Sequence, residues 1–457
     1  MSYPHRYMNH DLIIIGAGPG GYQAAAYAAH NGLSVLIIEQ AQLGGTCLNV
    51  GCIPTKTLCR NAEVVELLRD AQQYGITQQP FSIDFQAMQQ RKEEVITTLR
   101  NGIQTILQHP GIQVLEGKAT FVDDHTIAVG DAQFSAPNII IATGSVSKSL
   151  PVPGIDQQNV LSSTSLLDID ALPTSLVVVG AGVIGMEMAS VFAALGTKVS
   201  VIEFLPECLP TLDDEVARRL RQVISRRLNI DFFMQTALKA IEGNTVIATR
   251  KGKDVSIEAQ YVLIATGRQA ATKGLQLENT SIAHSPKGIE VDDNLMTSVN
   301  GVYAIGDVNG RAMLAHAAHM QARRAVNHIL KRSDTIRLDV MPGAIFTHPE
   351  AASVGPTEKQ LAADGVPFVC KKVHYRANGK ALADNQTDGL LKLIASDADE
   401  NGDHRILACH VCGAHAADIV QEVAALICRD TTVQQLADIT HIHPTVNEIL
   451  QEAALGF

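Results

Sequence analysis

Tryptophan is absent from the 457 residues and aromatic residues of any kind make up only 4%. No indole can therefore neighbour a bound chromophore, whose fluorescence should be easy to read. Long apolar runs are also missing. None reaches the roughly 18 residues that read as a membrane-spanning helix. An excess of positive charge is lacking too, with 36 Lys and Arg against 47 Asp and Glu and a formal net charge of −11. Nucleic acid is thereby excluded as an expected partner, because phosphate binding needs clustered basic residues. The segment Met1–His10 has one Arg and no apolar stretch, which does not fit a secretory signal and gives a cytoplasmic expectation. Cysteine is sparse, 8 residues in all, too few for a secreted disulfide scaffold in a chain of this length. What remains is an ordinary globular composition, 46% hydrophobic and 18% charged, long enough for about three domains.

Glycine is plentiful, and much of it falls in an internal repeat. The first copy runs from the apolar stretch Leu12-Ile13-Ile14-Ile15 into Gly16-Ala17-Gly18-Pro19-Gly20-Gly21, an Ala-rich helix pattern, a second apolar stretch Val35–Ile38 and Glu39. The second runs from Leu176–Val179 into Gly180-Ala181-Gly182-Val183-Ile184-Gly185, a helix pattern, Val199–Ile202 and Glu203. First glycine and closing glutamate are 23 positions apart in both (16 to 39, 180 to 203). This is the pattern of a βαβ dinucleotide fold. The first glycine turns the chain, the second lets a pyrophosphate approach the backbone, and the third lets the helix pack on the strand. A carboxylate closing the second strand is placed for ribose hydroxyls and repels a 2′-phosphate. Two copies imply two dinucleotides, and Glu203 without a basic residue just after it favours NAD over NADP.

Between the copies stands Gly44-Gly45-Thr46-Cys47-Leu48-Asn49-Val50-Gly51-Cys52-Ile53-Pro54-Thr55-Lys56. Residues five apart on a regular helix are separated by about 7.5 Å along its axis, beyond the roughly 6.8 Å that disulfide Cα atoms span. If Cys47 and Cys52 are bridged, the helix is distorted at its start, where Gly51 and Pro54 allow it; the alternative is two unlinked buried thiols. This segment closely resembles the active-site segment of the class I pyridine nucleotide–disulfide oxidoreductases, and within them the dihydrolipoamide-oxidising branch.

The resemblance runs almost end to end. It implies an α/β fold with two Rossmann-like, three-layer domains and an α+β C-terminal dimerisation domain. The expected divisions are an FAD-binding domain (1–145), an NAD-binding domain (146–272), a central domain completing the FAD site (273–341) and an interface domain (342–457). Cys47 and Cys52 become the redox pair, and Lys56 lies near the flavin, paired with Glu187. FAD would contact the Gly16–Gly21 loop, Glu39, Gly45, Thr46 and Ala119. It would also contact Thr143-Gly144-Ser145, Gly306-Asp307 and Met313-Leu314-Ala315-His316, with Asp307 holding a ribityl hydroxyl. NAD would contact the Gly180–Gly185 loop, Glu187, Glu203, Leu238 and Gly267. Near the C-terminus, in His441-Ile442-His443-Pro444-Thr445-Val446-Asn447-Glu448, the resemblance makes His443 the acid/base and Glu448 its orienting carboxylate. Such a pair is needed because a thiolate attacks and a thiol does not. A homodimer is implied, with His443 delivered into the partner's site, together with lipoyl domains of a 2-oxoacid dehydrogenase or glycine cleavage complex as partners.

Several features stay apart from that chemistry. Cys409 and Cys412 form a C-x-x-C within a strand pattern, where positions three apart point to opposite faces; with no second pair at zinc spacing they read as structural, and no metal site is expected. His441 and residues 1–10 have no assigned role. After Gly267-Arg268 the family usually continues x-Pro-Asn, whereas Gln269-Ala270-Ala271-Thr272 stands here. Two rival readings are a glutathione- or mercuric-reductase-like enzyme, against which Glu203 and Val183 weigh, and a largely inactive subunit of a 2-oxoacid dehydrogenase complex.

Overall fold

The computed structural model describes residues 10–77 and 79–457, so of the N-terminal extension only His10 falls within it. The chain divides into two compact units. One comprises the described residues up to Thr57 with Gln89–Lys148 and Gly267–Leu338; the other comprises Leu58–Met88, Ser149–Thr266 and Asp339–Phe457.

In the first unit a five-stranded parallel sheet runs in the order Val302–Ala304, Asn138–Ile141, Leu12–Ile15, Val35–Glu39, Ile112–Glu116. Its central strand has four consecutive apolar residues because both faces are covered, as parallel sheets require. Leu12 and Ile14 pack with the helices Pro19–His30 and Ala315–Ile329, through Ala24, Ala25 and Ala28 of one and Ala322, Ala325 and Val326 of the other. Ile13 and Ile15 pack on the opposite side, with Phe121 and Ile127 of the antiparallel meander formed by Ala119–Asp123, Thr126–Val129 and Ala132–Ser135. The strand period of two thus divides one stretch between two cores.

The second unit repeats the plan. A parallel sheet runs Asp231–Phe233, Lys198–Ile202, Ser175–Val179, Tyr261–Ile264, Val160–Leu161. Leu176 and Val178 face one core and Val177 and Val179 another. Beyond it lies a five-stranded antiparallel sheet in the order Gly343–Ile345, Ala351–Val354, Ile406–Cys412, Leu390–Ser396, Phe368–His374. Its helices Ala416–Ile427 and Glu448–Leu455 bury Ile419, Val420, Val423, Ile449 and Leu450 in a common core. No helix among the described residues is long and apolar enough to cross a membrane.

Cys409 and Cys412 lie on one strand and contribute to different cores, the former under the helices and the latter on the other side. Both are fully buried, and burial raises both thiols, Cys412 to about 12. Thiols so held in the neutral form are inert toward metals and disulfides.

One polar cluster sits inside the second unit. Lys392 is 1% exposed, and its ammonium donates to Asp213 at 2.8 Å and to Glu358, with Glu215 at 3.4 Å. Burial pulls the Lys392 pKa down, but the two bonded carboxylates more than reverse this and hold it above the usual lysine value. Asp213, Glu215 and Glu358 are close enough together to share a cation, and the lysine already serves as one. Lys392→Met should keep the volume but leave Asp213 buried without its counter-charge. A loss of about 3–5 kcal/mol in unfolding free energy is expected, measured by denaturant titration.

Candidate active site

The two glycine loops fold alike. Gly16 has φ +100° and Gly180 φ +103°; a Cβ on either would lie 2.5 Å from a carbonyl oxygen, of Ala142 and Ala265 respectively. Only glycine accepts both the turn and the contact. A Cβ on Gly21 or Gly185 would fall within 2 Å of the first glycine's carbonyl oxygen, so the helix closes directly on its strand. The middle glycines differ: a Cβ on Gly182 meets nothing within 4 Å and one on Gly18 meets only Gly45 Cα at 3.9 Å. Each middle glycine is the N-cap of a 12-residue helix, Pro19–His30 or Val183–Ala194. Open backbone at a helix N-terminus is the arrangement that receives a pyrophosphate, so both loops fit a dinucleotide.

The glutamates at the strand ends take part in the loops themselves. Glu39 accepts from the N–H of Ala17 at 2.6 Å and of Ala41 at 2.9 Å. Glu203, buried, accepts from Ala181 at 2.6 Å and Leu205 at 2.7 Å. The sequence pointed to ribose as the partner; the structure shows each carboxylate first bracing its own glycine loop. A carboxylate has about four lone-pair sites, which leaves acceptor capacity for a ribose. Phe204, 74% exposed, and Leu205 follow Glu203, so the chain carries no basic side chain immediately after it.

Cys47 and Cys52 stand on different helices. Gly45–Val50 is one short helix, Gly51 interrupts with φ −142° and ψ −108°, and Cys52–Asp70 begins anew. The distortion that a bridge would require is therefore a complete break, at Gly51. A Cβ there would sit 2.8 Å from the carbonyl oxygen of Thr46. Backbone approach also seats the short helix against the first glycine loop: a Cβ on Gly45 would come within 2.7 Å of Gly18 Cα, and Gly44 N–H donates to Ala17 at 2.9 Å. Asn49 donates to the carbonyl oxygens of Leu43 and Gly45 and accepts from Arg100 at 2.8 Å.

Both cysteines are free thiols in this structure and partly buried. The hydrogen bond to Cys52, then burial and the Cys52 charge, push the Cys47 thiol far above the ordinary thiol range, with Lys56 pulling the other way. The two interact strongly enough to titrate as a pair.

Around them the first unit gathers further expected residues. Ser145, just past the strand Asn138–Ile141, donates to Asp307 and accepts from Arg268 Nε at 2.7 Å, while Arg268 Nη2 donates to the Ser145 carbonyl at 2.7 Å. Burial lowers the Arg268 pKa, opposed by Asp307 and Cys52. Arg268 lay in a motif quoted from the sequence, but its role did not. Gln269 and Ala270 of the unusual stretch lie in a two-stranded antiparallel pair, Arg268–Ala270 with Ser145–Ser147, and Thr143 donates to the Ala271 carbonyl at 2.8 Å. Gly144 has φ +74° and Gly306 φ +72°, and Gly306 N–H donates to Gln321 at 2.7 Å. Ala119 is buried at a strand start. Met313 is exposed, Leu314 is the N-cap of the helix Ala315–Ile329, and His316 lies in that helix's first turn.

In the second unit Val183, Ile184 and Glu187 lie on the helix after the second glycine loop, and Leu238 lies at a bulge in the strand Thr236–Glu242. Glu187 is buried and accepts from the N–H of Phe346 at 2.9 Å. In the first unit, Gly267 has φ +111°.

His443 and Glu448 meet as expected. His443 Nδ1 is 2.9 Å from Glu448 Oε1, and the other Glu448 oxygen accepts from Thr445 N–H at 3.0 Å. Those two bonds hold the Glu448 carboxyl below its ordinary pKa, Thr445 contributing most. The His443 side chain is 79% exposed, which turns Nε2 outward. His441 is different: its side chain is 5% exposed, Nδ1 is 3.0 Å from the Ile439 carbonyl and Nε2 is 3.1 Å from Glu422. Both ring nitrogens are engaged within the fold. Glu422 escaped the sequence reading, since no local motif links it to residue 441.

Residues 10–322 match the family model described as pyridine nucleotide-disulphide oxidoreductase, and residues 341–454 match its dimerisation domain. The chain is 35% identical over 455 residues to the dihydrolipoyl dehydrogenase of Mycoplasma pneumoniae, covering 97% of this chain and 98% of that one. It is 36% identical over 453 residues to that of Chlamydia muridarum, with coverages of 97% and 96%. Among solved structures, the Cu(II) complex of the HOCl-induced flavoprotein disulfide reductase RclA from Escherichia coli superposes with TM-score 0.86 at 30% identity, covering 98% of this chain and 99% of that one. FAD and NAD(H) are the cofactors of this group. The chain belongs to the pyridine nucleotide–disulphide oxidoreductase family, as a flavoprotein oxidoreductase with a C-terminal dimerisation domain.

Proposed function

We propose that this flavoenzyme oxidises protein-borne dihydrolipoamide to lipoamide and reduces NAD⁺, as a homodimer in the cytoplasm serving a 2-oxoacid dehydrogenase or glycine cleavage complex. The observation that carries the reading is the thiol pair Cys47–Cys52 on a broken helix beside Lys56, joined by sequence to a His443–Glu448 acid/base pair. The domain divisions at about 145, 272 and 341 are part of the same proposal, as are the site residues.

In this mechanism Cys47 and Cys52 begin as a disulfide. His443, oriented by Glu448 from the partner subunit's copy of the loop, takes a proton from one substrate thiol at Nε2. The resulting thiolate attacks Cys47 Sγ, the Cys47–Cys52 bond breaks, and Cys52 leaves as thiolate. Lys56 and Arg268 favour that charge. His443 passes the first proton to Cys47 as that sulfur is displaced and takes the proton of the second substrate thiol, whose sulfur closes lipoamide; this second proton is then released to solvent. FAD, when bound along the Gly16–Gly21 loop with Asp307 at its ribityl chain, supplies the two-electron relay from Cys52 to the nicotinamide. The Gly180–Gly185 loop, Glu203 and Leu238 would hold NAD.

A disulfide reductase with another acceptor is the second reading, favoured by the likeness to RclA. Steady-state kinetics separate them. Dihydrolipoamide with NAD⁺ should give a kcat/KM at least about 100-fold above that with NADP⁺, because Glu203 repels a 2′-phosphate. It should also exceed NADPH-driven reduction of glutathione disulfide. Preference for NADPH, or no turnover of dihydrolipoamide, would refute the proposal.

A further inference from the structure

An imidazole that is 79% exposed is aimed by the loop that carries it rather than by walls around it. That loop, residues 441–448, is fastened on both sides of His443 by one carboxylate. Glu422 Oε1 is 3.1 Å from His441 Nε2, and Glu422 Oε2 accepts from Asn447 Nδ2 at 3.0 Å. Glu422 projects from the helix Ala416–Ile427, whose Ile419, Val420, Val423 and Ala424 are locked in the same core as Val446, Ile449 and Leu450. A further strut comes from Asn378, 2% exposed, which donates to the Thr445 carbonyl at 3.1 Å. His441 has both ring nitrogens engaged within the fold, so it holds the loop and does not exchange protons with substrate.

We propose that Glu422 is a positioning residue that sets the His443–Glu448 pair in register with the reacting thiols, by clamping the two flanks of its loop through His441 and Asn447. The inference rests on His443 being the acid/base. The clamp bears on the dithiol half of the reaction and not on electron flow between flavin and nicotinamide. Misplacing a catalytic group by about 1 Å is enough to lower a rate on the order of 100-fold.

The test uses the intact, flavin-loaded dimer. Glu422→Ala, His441→Ala, their double variant and His443→Gln are compared in dihydrolipoamide oxidation by NAD⁺ across pH, and in NADH oxidation by ferricyanide. Glu422→Ala should lower kcat with dihydrolipoamide about 10- to 100-fold and displace the pH profile of kcat/KM, while ferricyanide turnover stays within about twofold of the parent. The double variant should be no slower than Glu422→Ala, because residues acting as one unit are not additive. Glu422→Gln, which keeps one acceptor oxygen, should lie in between. Should Glu422→Ala fail to bind flavin, Asn447→Ala, which removes one strut only, replaces it with an expected loss of about 3- to 10-fold. Parental kinetics and pH profile in these variants, beside a His443→Gln enzyme slowed more than about 100-fold, would overturn the clamp alone. A His443→Gln enzyme with parental kinetics would overturn the acid/base reading on which it stands.

Discussion

Serine in place of Cys52 should reduce dihydrolipoamide oxidation at least about 1000-fold, equivalent to roughly 4 kcal/mol of lost transition-state stabilisation. The size follows from what the sulfur does. With a single sulfur left, no intramolecular disulfide forms, so the substrate thiolate has nothing to displace and the electron pair has no route inward. Oxygen is close to sulfur in shape, and Cys52 is only partly buried at the start of its helix, so folding and flavin content should be those of the parent. Cys47→Ser should be equally slow by a different path. It keeps the Cys52 sulfur but removes the sulfur that is attacked. Turnover by either variant within tenfold of the parent would mean that the pair is not the redox centre.

His443→Gln should lower the same reaction about 100- to 10,000-fold, the range that a positioned general base contributes, with KM little changed. Glutamine retains a donor toward Glu448 but cannot take a proton. More informative is mixing the two dead variants. If imidazole reaches the site from the partner subunit, a dimer of one Cys52→Ser and one His443→Gln chain holds one intact site, with Cys52 from one chain and His443 from the other. Random reassortment under two-fold symmetry should then restore about a quarter of parental activity. If each subunit used its own imidazole, mixing would restore nothing. The 79% exposure of His443 in the single chain is what an imidazole serving a partner must have.

Much of this site was legible in the sequence because its signals are local. Each dinucleotide loop lies within 23 residues of its glutamate, and the packing that demands glycine at positions 16 and 180 is set by neighbours on adjacent strands. His443 and Glu448 are five apart. The geometry of Cys47 and Cys52 was half legible: helix rise alone required a distortion for a bridged pair, but only the folded backbone shows two helices with Gly51 between them. What escaped is carried by distant residues. Glu422 and His441 are 19 positions apart and Asp213 and Lys392 are 179 apart. A lysine in the strand pattern Leu390–Ile394 gives no sign that it will be buried. Glu39 and Glu203 show a third case, in which the expected residue is in place but its first partners are its own loop's N–H groups.

The central claim is that electrons enter through Cys47 and Cys52. Its most direct test is differential alkylation: the oxidised, flavin-loaded protein is blocked, treated anaerobically with one equivalent of dihydrolipoamide, labelled with a second alkylating reagent and mapped by mass spectrometry. The second label should appear at Cys47 and Cys52, with Cys409 and Cys412 unlabelled in their cores. Label appearing at Cys409 and Cys412, or at no cysteine while the flavin is reduced, would contradict the account.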